Sequence, residues 1–289
     1  MKNALLLFAF IIVLTSSTAV PEPLTFDLAT ALNEQKVSLV VKGNNESPHY
    51  YQPLIIDIKN LTHQDLIINI KNGQLFASNN PEIQDIITTQ QEFITLKANK
   101  AIHQPLYGMC VQQFNQAPDI DQEYSMGELA SGNLATLAGK IQEQKAFSIA
   151  GQHSVWAVTD DNDLEDIESY IPEDADELRA YVADLLDTPN PVIVRGETVS
   201  LDTGPKLIKR TVGGNFKYKF SKTSAVTIGM FNDQNIVVKE LYNNPETAAG
   251  EHKLSYEFDT MVFPEDTYFI RLIIDGQIKI NFKMKPRRG

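Results

Sequence analysis

Cysteine is almost missing from this sequence. The 289 residues include a single cysteine, Cys110, and a single tryptophan, Trp156. One cysteine cannot form an intramolecular disulfide, so a disulfide framework is excluded. A cysteine without a partner is either a buried, inert thiol or a residue with a chemical role. The residues around Cys110 bear on which of these applies.

Positive charge is also scarce. The chain has 25 lysine and arginine residues against 37 aspartate and glutamate residues, a formal net charge of -12. Nucleic-acid binding requires clustered basic residues, and anionic lipid surfaces attract the same residues. The composition therefore argues against a nucleic-acid partner and against electrostatic docking on lipid.

Long apolar runs are limited to the N-terminus. Lys2 precedes an apolar run over residues 4–14, and residues 17–19 supply the small side chains of a cleavage site. This order predicts a secretory signal peptide over residues 1–19. The run is too short to span about 30 Å of hydrocarbon. We therefore expect a secreted or cell-surface protein without a membrane span in the mature chain.

Sequence motifs of common enzymes and metal sites are missing as well. There is no Gly-x-Ser-x-Gly elbow, Walker loop or dinucleotide fingerprint, and the five histidines are not at metal-ligand spacing. We expect a non-catalytic protein with no cofactor and no metal. A calcium site at Asp161, Asp163 and Glu165 is a weak alternative, because the glycine and distal glutamate of an EF-hand loop are missing.

The hydrophobic pattern is that of a mainly β protein with a helical segment in the middle. Short apolar runs between turn signals predict strands before residue 111 and again after residue 192. Asp275-Gly276, between two apolar runs, predicts a tight hairpin. Further turns are predicted at Gly213-Gly214 and at Asn243-Asn244-Pro245. Helical spacing predicts helices around residues 134–141 and 149–159.

These patterns predict two immunoglobulin-like β-sandwich domains, the first of which carries a helical excursion. Residues 161–191 are rich in acidic side chains with helical periodicity, and they are interpreted as a solvated linker between the domains. The expected boundaries are 1–19 for the signal peptide, 20–160 for the first domain, 161–191 for the acidic helical linker and 192–289 for the second domain.

Helix geometry directs the Gln152 side chain inward, and strand geometry puts Cys110 on one face with Gly108 and Gln112. Cys110 lies in a predicted strand over residues 107–112, and Gln152 shares one helical stripe with Val155 and Trp156. A buried amide needs hydrogen-bond partners or a reaction. Two interpretations remain open: an inert thiol beside a structural amide, or an internal thioester formed when sulfur attacks the carboxamide and ammonia leaves. His153, which is off this stripe, is predicted to lie at the surface.

A resemblance favours the thioester. Gln152-His153-Ser154-Val155-Trp156 resembles the Gln-x-x-hydrophobic-Trp signature of bacterial thioester domains at the tips of surface adhesins. Tyr107-Gly108-Met109-Cys110-Val111 is similar to the hydrophobic-Cys-hydrophobic segment of those domains, and the similarity covers about residues 106–160. It implies that Cys110 supplies the acyl-linked sulfur, Gln152 the acyl group and Trp156 the shield from water. A Cys-x-x-Gln arrangement ending at Gln113, as in complement and macroglobulin thioesters, is a less favoured alternative because Val111 would occupy its tight turn.

A second resemblance covers about residues 221–285. Residues 228–241, 249–254 and 264–272 resemble immunoglobulin-like modules of the flagellar hook-capping type and type IX secretion sorting domains of Bacteroidetes. Together, the resemblances imply a secreted or cell-surface adhesion protein that binds a protein or glycan surface and attaches to amines through the thioester. The alternative is a non-reactive scaffold of the envelope or extracellular matrix with a buried, inert cysteine.

Overall fold

The computed structural model describes residues 23–47, 50–193, 211–259 and 266–285. The predicted signal peptide at residues 1–19 lies outside these ranges. The described chain is mainly β, which confirms the predicted class at that level. We refer to residues 23–193 as the N-terminal module and to residues 211–285 as the C-terminal module. No helix in the described ranges is long and apolar enough to cross a membrane.

The N-terminal module begins with strands and ends with helices. Its strands are β1 (Leu24–Asp27), β2 (Val37–Gly43), β3 (Tyr50–Asn60), β4 (Leu66–Ile70), β5 (Gln74–Ser78), β6 (Ile86–Thr88), β7 (Glu92–Leu96), β8 (Ala101–Cys110) and β9 (Glu123–Leu129). Its α-helices are α1 (Leu28–Asn33), α2 (Gly132–Gln144), α3 (Ile149–Thr159) and α4 (Pro172–Leu185), with a 3-10 helix at Leu164–Asp166.

Six of these strands close into a barrel instead of forming the predicted sandwich. The barrel order is β2-β3-β8-β6-β5-β9, and β1, β4 and β7 form a separate three-stranded sheet. Closure depends on β9, which pairs with β2 on one side and β5 on the other. The sequence pattern did not predict β5, β6 or β9, because they are short or lack clear apolar alternation. Without them the remaining strands suggest an open sheet.

The helices pack on the barrel through apolar faces. Helix α3 is buried from Ile149 to Ala157 on all sides, which is typical of a core helix. Helix α4 starts with Pro172 in its first turn, a position that proline favours. Its buried residues include Leu178 and Val182, which belong to the same hydrophobic core as the barrel. The acidic segment interpreted as a solvated linker therefore contributes a core-packed amphipathic helix.

The C-terminal module consists of two antiparallel sheets that share one apolar core. Its strands are β10 (Thr211–Phe220), β11 (Ser224–Phe231), β12 (Val237–Thr247), β13 (Gly250–Asp259), β14 (Tyr268–Ile274) and β15 (Gln277–Met284). Strands β10 and β13 form one sheet, and β12-β11-β14-β15 form the other. The predicted Asp275-Gly276 hairpin is confirmed: both residues have positive φ, 49° and 77°, between β14 and β15.

Two predicted turns in this module are wrong. Gly213-Gly214 lies inside β10, where a Cβ on Gly214 would come within 2.6 Å of the Tyr256 hydroxyl oxygen. These glycines therefore allow close strand packing and do not make a turn. Asn243-Asn244-Pro245 lies inside β12, whose pairing with β11 is irregular. Proline is tolerated there because β12 is an edge strand.

The two modules pack directly on each other. Phe231, Ile236, Val237 and Ile273 from the C-terminal module belong to the hydrophobic core of the N-terminal module. Polar contacts across the boundary include the Lys239 Nζ–Glu168 Oε2 ion pair at 3.1 Å and the hydrogen bond from Ile278 N–H to the Glu46 carbonyl at 2.8 Å.

The close packing of α3 against its neighbours predicts different effects of alanine at two helical glycines. In Gly151→Ala the new Cβ would lie 2.1 Å from the Ala146 carbonyl oxygen, so we expect a loss of about 1–3 kcal/mol in unfolding free energy. Gly139 on α2 has no heavy atom within 4 Å of a Cβ, so Gly139→Ala should gain about 0.5–1 kcal/mol. Urea denaturation measures both. Equal effects at the two positions would contradict the packing of α3.

Candidate functional site: the Cys110–Gln152 pair

Cys110 is the last residue of β8 and lies in the barrel wall. On one side Cys110 is the register partner of Ile86 in β6, and Val111 donates its N–H to the Asp85 carbonyl at 3.0 Å. On the other side the pairing with β3 reaches Met109, opposite Tyr50. The Cys110 side chain is fully buried. The backbone N–H and C=O of Cys110 therefore point away from β6, toward the side where Tyr50 ends the β3 pairing.

Gln152 on α3 satisfies both of these backbone groups. The Cys110 N–H donates to Gln152 Oε1 at 3.0 Å, and Gln152 Nε2 donates to the Cys110 carbonyl at 2.8 Å. The carboxamide thus takes the position of a peptide group on a neighbouring strand. Gln152 is fully buried, as the helical stripe predicted. The sequence predicted the inward direction of Gln152 alone, and the structure brings its carboxamide into direct contact with the Cys110 backbone.

Gly151 allows this approach. Met109 Cε would lie 2.6 Å from a Cβ at position 151, so only glycine lets α3 lie this close to β8. At the other end of α3, Asp160 Oδ2 accepts hydrogen bonds from the Thr159 hydroxyl at 2.8 Å and from the Gln113 N–H at 3.2 Å. Contacts at both ends of α3 therefore fix the segment around Cys110.

Trp156 and His153 lie together on α3, and the surface position predicted for His153 is wrong. Trp156 is fully buried, and the His153 ring stacks on it with centroids 5.5 Å apart and planes at 28°. His153 is 8% exposed, and Nδ1 contacts the Asp166 carbonyl. Residues 149–157 contain no acidic or basic side chain other than this histidine. That composition was the signal that α3 is buried all round.

Burial shifts the protonation of both titratable groups near the site. It raises the pKa of the Cys110 thiol well above its ordinary value, so the sulfur carries its proton. Burial also lowers the pKa of His153, against the opposing effect of the carbonyl groups of Asp166 and Val237. The pair of Cys110 and Gln152 is thus a neutral thiol and a neutral carboxamide, both fully buried.

The alternative candidates lack comparable support. Gln113, the glutamine of the Cys-x-x-Gln alternative, is half-buried, and its backbone N–H donates to Asp160 Oδ2 at 3.2 Å. The preceding Gln112 is engaged with Asp85, accepting its N–H at 2.6 Å and donating Nε2 to Oδ2 at 2.9 Å. Across the described ranges, no group of three or more His, Cys, Asp or Glu side chains could hold a metal ion. Asp161, Asp163 and Glu165 therefore do not form such a group in this structure.

The hydrogen-bonding role of Gln152 can be measured without sulfur chemistry. In a Cys110→Ala background, Gln152→Leu leaves the N–H and C=O of residue 110 buried and unpaired. We expect an additional loss of about 2–4 kcal/mol in unfolding free energy, since each orphaned group costs about 1–3 kcal/mol. Gln64→Leu, at an exposed position, is the matched control and should change it by less than about 0.5 kcal/mol. If urea denaturation gives equally small losses of unfolding free energy for Gln152→Leu and Gln64→Leu, the hydrogen-bonding role of Gln152 is refuted.

His153 should make stability pH-dependent. Its folded-state pKa lies below the unfolded value of about 6.5, so below that pH the unfolded chain binds a proton that the folded protein resists. The unfolding free energy should fall as the pH drops from 7.5 to 5.5, and His153→Gln should flatten this slope. His63→Gln, at an exposed histidine, should keep the wild-type slope. Parallel curves for wild type and His153→Gln would contradict the assignment.

No protein-family model matches the sequence, and no curated protein or solved structure is significantly similar to it.

Proposed function

We propose that this chain is a secreted or cell-surface binding protein that attaches covalently to amines through a thioester between Cys110 and Gln152. The observation that carries the proposal is the direct contact of the Gln152 carboxamide with the Cys110 backbone inside a buried site. Two residues 42 positions apart are held together with both side chains fully buried. These contacts keep the carboxamide next to the residue whose sulfur would attack it, which favours a single intramolecular step.

The chemistry balances within the pair. Cys110 Sγ attacks Gln152 Cδ, an S–C bond forms, the C–N bond breaks, and the thiol proton leaves with the nitrogen as ammonia. Negative charge develops on Oε1 during the attack, and the Cys110 N–H already donates to that oxygen at 3.0 Å. A preorganised donor at the developing charge lowers the barrier. Attack by an amine on the thioester then forms an amide with Gln152 and returns the Cys110 thiol.

The surroundings favour a long-lived thioester. Trp156 and Val155 are fully buried on the same helix, as are Cys110 and Gln152. Exclusion of water slows hydrolysis of a reactive acyl group. Capture of an amine therefore requires α3 and β8 to separate locally, which limits reaction to partners that bind there or displace the helix.

The proposed location and partner rest on the sequence. A signal peptide over residues 1–19 accounts for export, and an immunoglobulin-like C-terminal module of the hook-capping or sorting-domain kind accounts for surface delivery. Two antiparallel sheets around one core support that assignment for residues 211–285. A protein or glycan surface partner is proposed, and the protein itself performs no catalytic turnover.

Intact mass spectrometry tests the thioester. The wild-type chain should be lighter than its sequence mass by about 17 Da, the mass of ammonia. Methylamine should then add about 31 Da and release one thiol that reacts with a maleimide. Cys110→Ala and Gln152→Ala should both show the unmodified sequence mass and no methylamine adduct.

A second candidate function is a non-reactive scaffold of the envelope or extracellular matrix. It is favoured by the hydrogen bonds that already satisfy both polar atoms of the Gln152 side chain, and by the raised pKa of Cys110. A wild-type mass equal to the sequence mass, with a thiol that reacts only after denaturation, would select the scaffold and refute the thioester.

A further inference from the structure

A cleft with a volume of about 500 Å³ lies between the two modules. The N-terminal module contributes β3, the α2–α3 connection and α4, and the C-terminal module contributes β11, β12 and the β14–β15 hairpin. Residues that line it include Tyr51, Phe147, Asp174, Leu178, Glu240 and Ile273. The volume is within the range of small-molecule sites, which often lie between domains.

Glu240 places a buried carboxyl group in the wall of this cleft. Its side chain is 6% exposed, and Oε2 accepts hydrogen bonds from the Ser169 hydroxyl at 3.0 Å and the Tyr170 N–H at 2.9 Å. Within the described ranges, Glu240 makes no ion pair with a lysine, arginine or histidine. Burial raises its pKa, and the charge of Asp174 raises it further. A buried carboxyl group normally has a counter-charge. Lys145 also lines the cleft, but it is exposed and makes no ion pair with Glu240.

Asp174, at an exposed position on α4, lines the same cleft. Its side chain has no hydrogen bond or ion pair among the described residues, and burial and the charges of Glu173 and Glu177 raise its pKa. Glu177, by contrast, is 3.7 Å from Lys140 Nζ and accepts a hydrogen bond from Gln144. The cleft therefore contains two carboxyl groups, from different modules, neither of which makes an ion pair among the described residues.

Aromatic rings line the same cleft: Tyr51 and Phe147 belong to its wall, and Tyr107 packs against both. Tyr51, Tyr107 and Phe147 make a cluster with centroid separations of 4.6–6.5 Å. Tyr51 has a φ of 89°, a rare value for a side chain of this size. Its ring is fixed against the β14–β15 turn, because a Cβ on Gly276 would lie 2.0 Å from it. Aromatic rings beside carboxylates suit an organic cation.

We propose that this cleft binds a primary alkylammonium group, with Glu240 and Asp174 contacting the ammonium and Tyr51, Phe147, Leu178 and Ile273 packing on the alkyl chain. A bare metal ion fits less well, because the described residues offer no group of three ligating side chains and half of the named wall is apolar. The inference does not depend on the thioester, since none of these residues belongs to the Cys110–Gln152 pair.

Isothermal titration calorimetry with cadaverine tests this site. The full chain carrying Cys110→Ala is used, so that no covalent reaction can contribute. We expect saturable binding that weakens at least tenfold in Asp174→Asn and in Glu240→Gln. Asp184→Asn removes the same charge from an exposed position further along α4, and it should bind like the parent. Unfolding midpoints confirm that each variant is folded.

Two further probes define the ligand. 1-Pentanol has a similar alkyl body without charge and should not bind. Nα-acetyl-lysine N-methylamide carries the ammonium of a protein side chain. Tighter binding of this compound assigns the site to protein lysines, and tighter binding of cadaverine assigns it to free diamines. Absence of saturable binding by both amines, equal binding of 1-pentanol, or equal weakening by Asp184→Asn would overturn the proposal. None of these binding results bears on the mass of the wild-type chain, which tests the thioester separately.

Discussion

The reciprocal hydrogen bonds between the Gln152 carboxamide and the Cys110 backbone are the interaction on which the rest of the structure depends. They let a helix side chain take the position of a neighbouring strand at the end of β8. An unpaired N–H and C=O at that buried position would be costly, so the two bonds fix both the position and the rotation of α3. Gly151 makes the close approach possible, because no other residue type fits between Met109 and Ala146.

Once α3 is fixed, it organises both modules. The helix is buried on all sides, packs against α2, α4 and β12, and presents His153 to the carbonyl groups of Asp166 and Val237. The C-terminal module adds Phe231 and Ile236 to the same apolar core. The modules therefore are packed on a shared helix, and the cleft lined by carboxyl and aromatic side chains is a consequence of that packing. The Cys110–Gln152 pair and the cleft thus share one structural support.

The sequence predicted those features that follow from local periodicity. Helix α3, the inward direction of Gln152, the Asp275-Gly276 hairpin and the mainly β class were all accessible from spacing and turn residues. Barrel closure was not, because β6 has three residues and β9 lacks regular alternation. The two glycines in β10 suggested a turn, although they make room for Tyr256. Glu240 could not be recognised, since Ser169 and Tyr170, which bind it, are about 70 positions away.

The most direct measurement of the central claim is a crystal structure at a resolution that separates a covalent bond from a van der Waals contact. Our account predicts continuous electron density between Cys110 Sγ and Gln152 Cδ, no density for Nε2, and an Oε1 atom still within hydrogen-bonding distance of the Cys110 N–H. A complete carboxamide bonded to both backbone groups of Cys110, beside a separate thiol, would contradict it.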